Sequence, residues 1–140
     1  MTLNVDFAPT MLHMAGVEVP EEMQGESFAP LLTGEYVGSW RDAIYYHYYE
    51  YPKWHQVQPH YGIRTDRHKL IHFYYDVDIW ELYDLKEDPN ELQNLYGQSE
   101  YEELTASLKE RLKVLQKEYK DDISLEEMRK VTDKGKVSYE

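Results

Sequence analysis

The chain has 140 residues and no cysteine, and 15 Lys and Arg against 27 Asp and Glu give it a formal net charge of −12. The length suits one ordinary domain, and 41% hydrophobic with 14% aromatic residues excludes a disordered chain. The acidic balance excludes nucleic acid and anionic membrane surfaces as partners, because both require a basic face.

Without cysteine there is no disulfide framework, no thiolate nucleophile and no Cys-based zinc site, so cysteine usage leaves the compartment undetermined. The opening residues Met1-Thr2-Leu3-Asn4-Val5-Asp6 carry neither the basic nor the apolar part of a signal peptide. No apolar run approaches the ~20 residues that span a bilayer.

Three zones are expected, with no repeat at solenoid periods. In the first, residues 1–34, Asp6 is expected to cap a helix through Pro9, Thr10, Met11, Leu12, His13 and Met14. Pro9 falls in the first turn, where its missing N–H is not needed. Gly16 supplies a left-handed stop and Pro20 prevents resumption. Ser27 then caps a short helix over Phe28, Ala29, Pro30, Leu31 and Leu32, ended by Gly34. Two such helices cannot enclose a core. Met11, Leu12, Met14, Phe28, Leu31 and Leu32 must pack on something else.

The second zone, residues 40–96, holds most of the tyrosines. Residues 42–49 (DAIYYHYY) have the aromatic and β-branched content of a strand. A polar loop follows over 50–59. Residues 60–65 (HYGIRT) and 69–75 (KLIHFYY) flank the turn Asp66-Arg67-His68 as a hairpin, and 80–85 (WELYDL) is a fourth strand. The expected result is a four-stranded antiparallel meander.

The third zone is helical. Asp88 should cap Pro89 and open a short helix to about Tyr96. Ser99 and Glu102 have the spacing of a capping box. Beyond them Tyr101, Leu104, Leu108, Leu112, Leu115 and Tyr119 keep the 3–4 spacing of an amphipathic helix of about five turns. It should lie across one face of the sheet. Residues 121–140 read as a polar tail, with a short helical turn over 123–128 and a frayed end from Thr132.

Two stretches resemble a known family. The first runs Asn4-Val5-Asp6-Phe7-Ala8-Pro9-Thr10-Met11-Leu12, then Ala15-Gly16-Val17, Pro20, Met23-Gln24-Gly25-Glu26-Ser27 and Pro30-Leu31-Leu32-Thr33-Gly34. The second runs His60-Tyr61-Gly62-Ile63-Arg64-Thr65, Arg67, Lys69-Leu70-Ile71 and Trp80-Glu81-Leu82-Tyr83-Asp84-Leu85, with Asp88-Pro89, Glu91 and Asn94-Leu95. In this order and spacing they resemble the C-terminal part of a formylglycine-dependent sulfatase. The bacterial N-acetylglucosamine-6-sulfatases and the N-sulfoglucosamine sulfohydrolases are the nearest types.

The resemblance implies an α+β subdomain, a four-stranded antiparallel sheet packed by a long helix, preceded by the tail of an alkaline-phosphatase-like α/β domain. Residues 1–34 would be the end of that catalytic domain and 35–120 the subdomain. It also implies sulfuric ester hydrolysis on sulfated glycans and calcium in the intact enzyme, which would be periplasmic or secreted. The family's nucleophile comes from Cys or Ser in a [CS]-x-[PA]-S-R motif, and the serines at 27, 39, 99, 107, 124 and 138 do not sit in one. The family's metal and sulfate ligands also map to no residue of this chain. It is therefore expected to carry no catalytic residue and no metal, and to be inactive alone.

The residues expected to touch substrate lie in and after the 51–60 loop. Aromatic faces stack on sugar rings, and His or Arg donate hydrogen bonds to hydroxyls, carboxylates or sulfates. His55 and His60 are the expected sugar contacts, with Trp54 and Arg64 in support. The competing reading is a surface loop with Arg64 paired to a carboxylate. No histidine pair has a helical i, i+4 arrangement that would suggest a metalloprotease. The spacing of Asp76, Asp78, Asp84 and Asp88 fits no EF-hand loop. A standalone carbohydrate-binding or protein-interaction module is the alternative; because residues 1–34 would have lost the surface they cover, self-association through them, or disorder in them, is expected.

Overall fold

The computed structural model describes residues 1–35, 38, 40–51 and 55–137. The chain forms two units, Met1–Asp42 and Ala43–Glu140.

In the first unit, helix α1 spans Phe7–Met14 and helix α2 spans Ala29–Leu32. Gly16, at φ +69°, ends α1 as expected; the neighbouring Val17 N–H donates to the Leu12 carbonyl at 2.9 Å. Asp6 does not cap α1. Its carboxylate instead accepts from the backbone N–H groups of Leu3 (2.7 Å) and Glu26 (3.0 Å) and from both arms of Arg41 (2.6 and 2.9 Å). Thr10 extends the same tie, since its hydroxyl donates to the Asp6 carbonyl and accepts from Phe28 N–H. Met11, Met14 and Leu32 are 66%, 70% and 65% exposed, so the helices leave apolar surface uncovered in this chain.

Period-2 alternation organises the second unit. Strands β1 (Ala43–Tyr48), β2 (His60–Thr65), β3 (His68–Phe73) and β4 (Ile79–Asp84) form one antiparallel sheet in the order β1-β2-β3-β4. The register aligns side chains in rows. On the inner face, Tyr45, Ile63, Leu70 and Leu82 make one row and His47, Tyr61, His72 and Trp80 the next. Helix α3 (Glu102–Glu118) covers this face with Leu108 and Leu112, both buried. The leucine stripe read from the sequence is thus the seam of the core.

Three local expectations for the second unit also differ from the structure. No helix forms over 89–96. The Asp88 carboxylate still gathers the N–H groups of Leu92 and Gln93 at 2.7 Å, but Glu91 turns left-handed at φ +53°. The competing partner is the free edge of β4. Asn94 Oδ1 accepts from Leu82 N–H, Asn94 Nδ2 donates to the Trp80 carbonyl, and Leu95 N–H donates to the Leu82 carbonyl. An edge strand's unpaired backbone rewards this loop more than one helical turn would.

The capping box at Ser99 and Glu102 does not form either. A 3₁₀ turn, Ser99–Tyr101, leads into α3 without a side-chain cap. The motif is realised one helix later. Ser124 Oγ accepts from Glu127 N–H, and Glu127 Oε2 accepts from both Ser124 N–H and Ser124 Oγ. That box opens helix α4, Leu125–Val137, which begins in the short helical turn expected over 123–128 and runs on through Val137, where a frayed end was expected from Thr132. Met128 and Thr132 are buried, and Arg129 Nε donates to the Tyr74 carbonyl at 2.7 Å.

Candidate functional site

The outer face of the sheet, opposite α3, carries the residues singled out on β2. Alternation places His60, Gly62 and Arg64 on this face and buries Tyr61 and Ile63 on the other. Its rows are Tyr48, His60, Phe73 and Ile79, then Tyr46, Gly62, Ile71 and Glu81, then Ile44, Arg64, Lys69 and Tyr83.

Aromatic rings hold His60 on both sides. It stacks on Tyr48 at 5.5 Å between centroids and 23° between planes. Phe73 lies at 5.1 Å from the other neighbouring strand, and Tyr46 meets the imidazole edge-on at 6.0 Å. Gly62 makes this packing possible: a Cβ there would come within 2.6 Å of the Tyr46 hydroxyl and 2.4 Å of the Leu70 carbonyl. The hydroxyls of Tyr46 and Tyr48 are buried without a hydrogen-bond partner among the described residues. Burial, with the charges of Glu91 and Glu81 behind it, pushes the Tyr46 hydroxyl's pKa well above its ordinary value.

Arg64 is exposed and forms no ion pair with a carboxylate among the described residues. Its cross-strand neighbour Lys69 is neutralised by Glu91 at 2.6 Å. The structure therefore does not pair Arg64 as a hairpin salt bridge. His55 is exposed in the loop before β2, next to Gln56 with its left-handed φ of +46°. Trp54 lies outside the described residues.

The inner-face histidines, His47 and His72, are tied into the fold by hydrogen bonds. His47 Nδ1 is 2.7 Å from Asp121 Oδ2, which also accepts from the Tyr45 hydroxyl, and His47 Nε2 is 2.9 Å from the Tyr74 hydroxyl. His72 sits between the Tyr61 hydroxyl (2.9 Å) and Asp78 (2.7 Å) and stacks on Trp80 at 4.2 Å. Burial lowers the His72 pKa despite the Asp78 carboxylate beside it. The sequence reading missed Asp121 as the partner of His47, because 74 residues separate them.

Among the described residues, no three His, Asp or Glu side chains converge to hold a metal ion. No described helix is long and apolar enough to cross a membrane. The outer face offers stacking rings, an imidazole nitrogen and a guanidinium with no ion-pair partner among the described residues. These groups can bind a polar, ring-shaped, anionic ligand; they include no nucleophile paired with a base.

The four-stranded antiparallel sheet backed by one long helix is the C-terminal domain architecture of alkaline-phosphatase-like sulfatases. Residues 1–118 match the family described as N-sulphoglucosamine sulphohydrolase, C-terminal, and the chain belongs to that family. It is 53% identical over 124 residues to an N-acetylglucosamine-6-O-sulfatase of Bacteroides thetaiotaomicron, covering 87% of this chain and 22% of the relative. A Delta 4,5-hexuronate-2-O-sulfatase of the same species is 35% identical over 107 residues, covering 73% of this chain and 21% of the relative. Among solved structures, BT4656 in complex with its substrate D-glucosamine-2-N,6-O-disulfate superposes with a TM-score of 0.83 at 53% identity. That match covers 88% of this chain and 25% of the other. A 2-O glycosaminoglycan sulfatase superposes at 0.73 with 31% identity, covering 84% and 25%. The chain thus spans about a fifth of the length of the curated relatives it matches.

Proposed function

We propose that this chain is the C-terminal part of a sulfatase that hydrolyses sulfuric esters on sulfated glycans. It would supply a wall of the cleft and contacts to the sugar, while nucleophile and calcium ligands come from a preceding catalytic region. The observation that carries this reading is its similarity, at 53% identity, to a protein whose structure is solved in complex with a sulfated glucosamine substrate. Residues 1–34 would belong to that catalytic region, in keeping with the exposed Met11, Met14 and Leu32. The same exposure supports self-association of the isolated chain. The intact enzyme would work in the periplasm or outside the cell.

His55, His60, Trp54 and Arg64 are the proposed sugar contacts. A chain of net charge −12 repels a sulfated ligand at long range, so recognition depends on a local cation free to pair. Arg64 has no ion-pair partner among the described residues, and a guanidinium matches sulfate oxygens in a two-pronged geometry. His60 and Arg64 are four residues apart on β2, roughly 13 Å along an extended strand. They address separate parts of the ligand.

Two measurements test the reading. The purified chain should release no sulfate from glucosamine 6-sulfate with or without calcium; calcium-dependent turnover by this chain alone would overturn the assignment. In calorimetric titration with a sulfated glucosamine disaccharide, Arg64→Ala should lower affinity about tenfold, the size of a lost charge-assisted hydrogen bond. Its affinity for the desulfated disaccharide should not change.

A further inference from the structure

The immediate surroundings of His60 determine which of its ring nitrogens is engaged within the fold. Nδ1 lies 2.8 Å from the backbone carbonyl oxygen of Gln58. A carbonyl only accepts, so Nδ1 carries the proton, and in the neutral ring Nε2 holds a lone pair. Nε2 makes no hydrogen bond within the described residues. A half-turn of the ring about Cβ–Cγ would put Cδ2 in place of Nδ1 and lose the bond to Gln58; Tyr48 and Phe73, packed against the ring, oppose it.

Gln58 is itself anchored. Its side-chain Nε2 donates to Asp76 Oδ2 at 3.1 Å, and the Tyr51 hydroxyl donates to the same oxygen at 2.7 Å. One residue on, the Pro59 carbonyl accepts from Tyr74 N–H at 3.2 Å. The segment entering β2 is thereby tied to the end of β3 and the turn that follows it.

We infer that His60 reads a hydrogen-bond donor of the sugar, a hydroxyl or an amide N–H, through Nε2, and that Asp76 is the positioning residue that keeps it in that state. Sulfate oxygens only accept, so a lone pair at Nε2 repels them. The sulfate is left to Arg64. This assignment rests on the glycan reading above and divides the labour between the two β2 residues.

The test has an arm that needs no ligand. A long-range proton–nitrogen spectrum of the histidine-labelled chain, with His60 identified by its loss in His60→Gln, should show Nδ1 protonated and Nε2 bare. Asp76→Ala should shift the ring toward a mixture of tautomers while the inner-face His47 and His72 signals stay put. A wild-type His60 protonated at Nε2 would overturn the inference.

In the second arm, N-acetylglucosamine 6-sulfate and unsulfated N-acetylglucosamine are titrated into wild type and His60→Ala. The variant should lose about three- to tenfold in affinity for both sugars, the range of a neutral hydrogen bond. A loss confined to the sulfated sugar would overturn the assignment. Failure of both sugars to bind the wild-type chain would overturn the glycan reading, and the tautomer spectrum would still decide the state of His60.

Discussion

Asp6 and Arg41 stand 35 residues apart in sequence and meet in a two-pronged ion pair, with the carboxylate wholly buried and the guanidinium nearly so. Burial pushes the Asp6 carboxyl up. Arg41 and the N–H groups of Glu26 and Leu3 outweigh it and hold the group below the usual carboxylate range. The pair gathers three segments of the first unit around one side chain. A cap would have served only one helix end.

Removing one partner strands the other charge. Arg41→Ala should cost about 3–5 kcal/mol in the first unit, the usual penalty for an uncompensated buried ion. Arg41→Lys should recover only part of it, because an ammonium cannot match both carboxylate oxygens. Hydrogen exchange at the Leu3 and Glu26 amides, both bound to Asp6, reports the loss directly. Unchanged protection in Arg41→Ala would refute the role assigned to the pair.

Acid sensitivity should centre on Asp84. Its bonds to Arg67, supported by the backbone N–H groups of Lys86 and Glu87, bring its carboxyl to about 2, against an ordinary 3.8. A folded pKa below the unfolded one gives stability that is full above the ordinary value and lost as pH falls through the folded value. The advantage of wild type over Arg67→Ala in urea denaturation should therefore be complete at neutral pH, shrink below about pH 4 and vanish near pH 2. A difference independent of pH would show that Arg67 acts through packing alone.

The two capping motifs separate cleanly by mutation. Ser124→Ala should cost about 1 kcal/mol and speed amide exchange over Glu127, Met128 and Thr132. Ser99→Ala should be nearly silent, because Ser99 makes no side-chain cap. Equal effects in thermal unfolding would contradict this assignment of the boxes.

The elements legible in the sequence are those whose signal is local and periodic. Residues 60–65 form β2 with the bounds read from HYGIRT, and the stripe through Leu108 and Leu112 became the buried face of α3. Where two partners compete for the same backbone, local reading falls short. Asp88-Pro89 opens like a helix, but the β4 edge offered Asn94 and Leu95 better hydrogen bonds. The Ser124-Leu125-Glu126-Glu127 box went unread, and the polar sequence after it hid the length of a helix whose burial rests on Met128 and Thr132. Of the site, His60 and Arg64 could be picked by residue type, but not the state of either.

By itself the sequence determined strand alternation, the helical stripe, the absence of a thiol or formylglycine motif, and the family. Each of these is carried by residue identity within a short window. Tertiary structure alone decided that His47 and His72 are tied to Asp121 and Asp78, that Arg64 has no carboxylate partner among the described residues, and that Gln58 accepts from His60. Those outcomes depend on which groups meet across the sheet, where burial and hydrogen-bond competition, not local propensity, set the free energy.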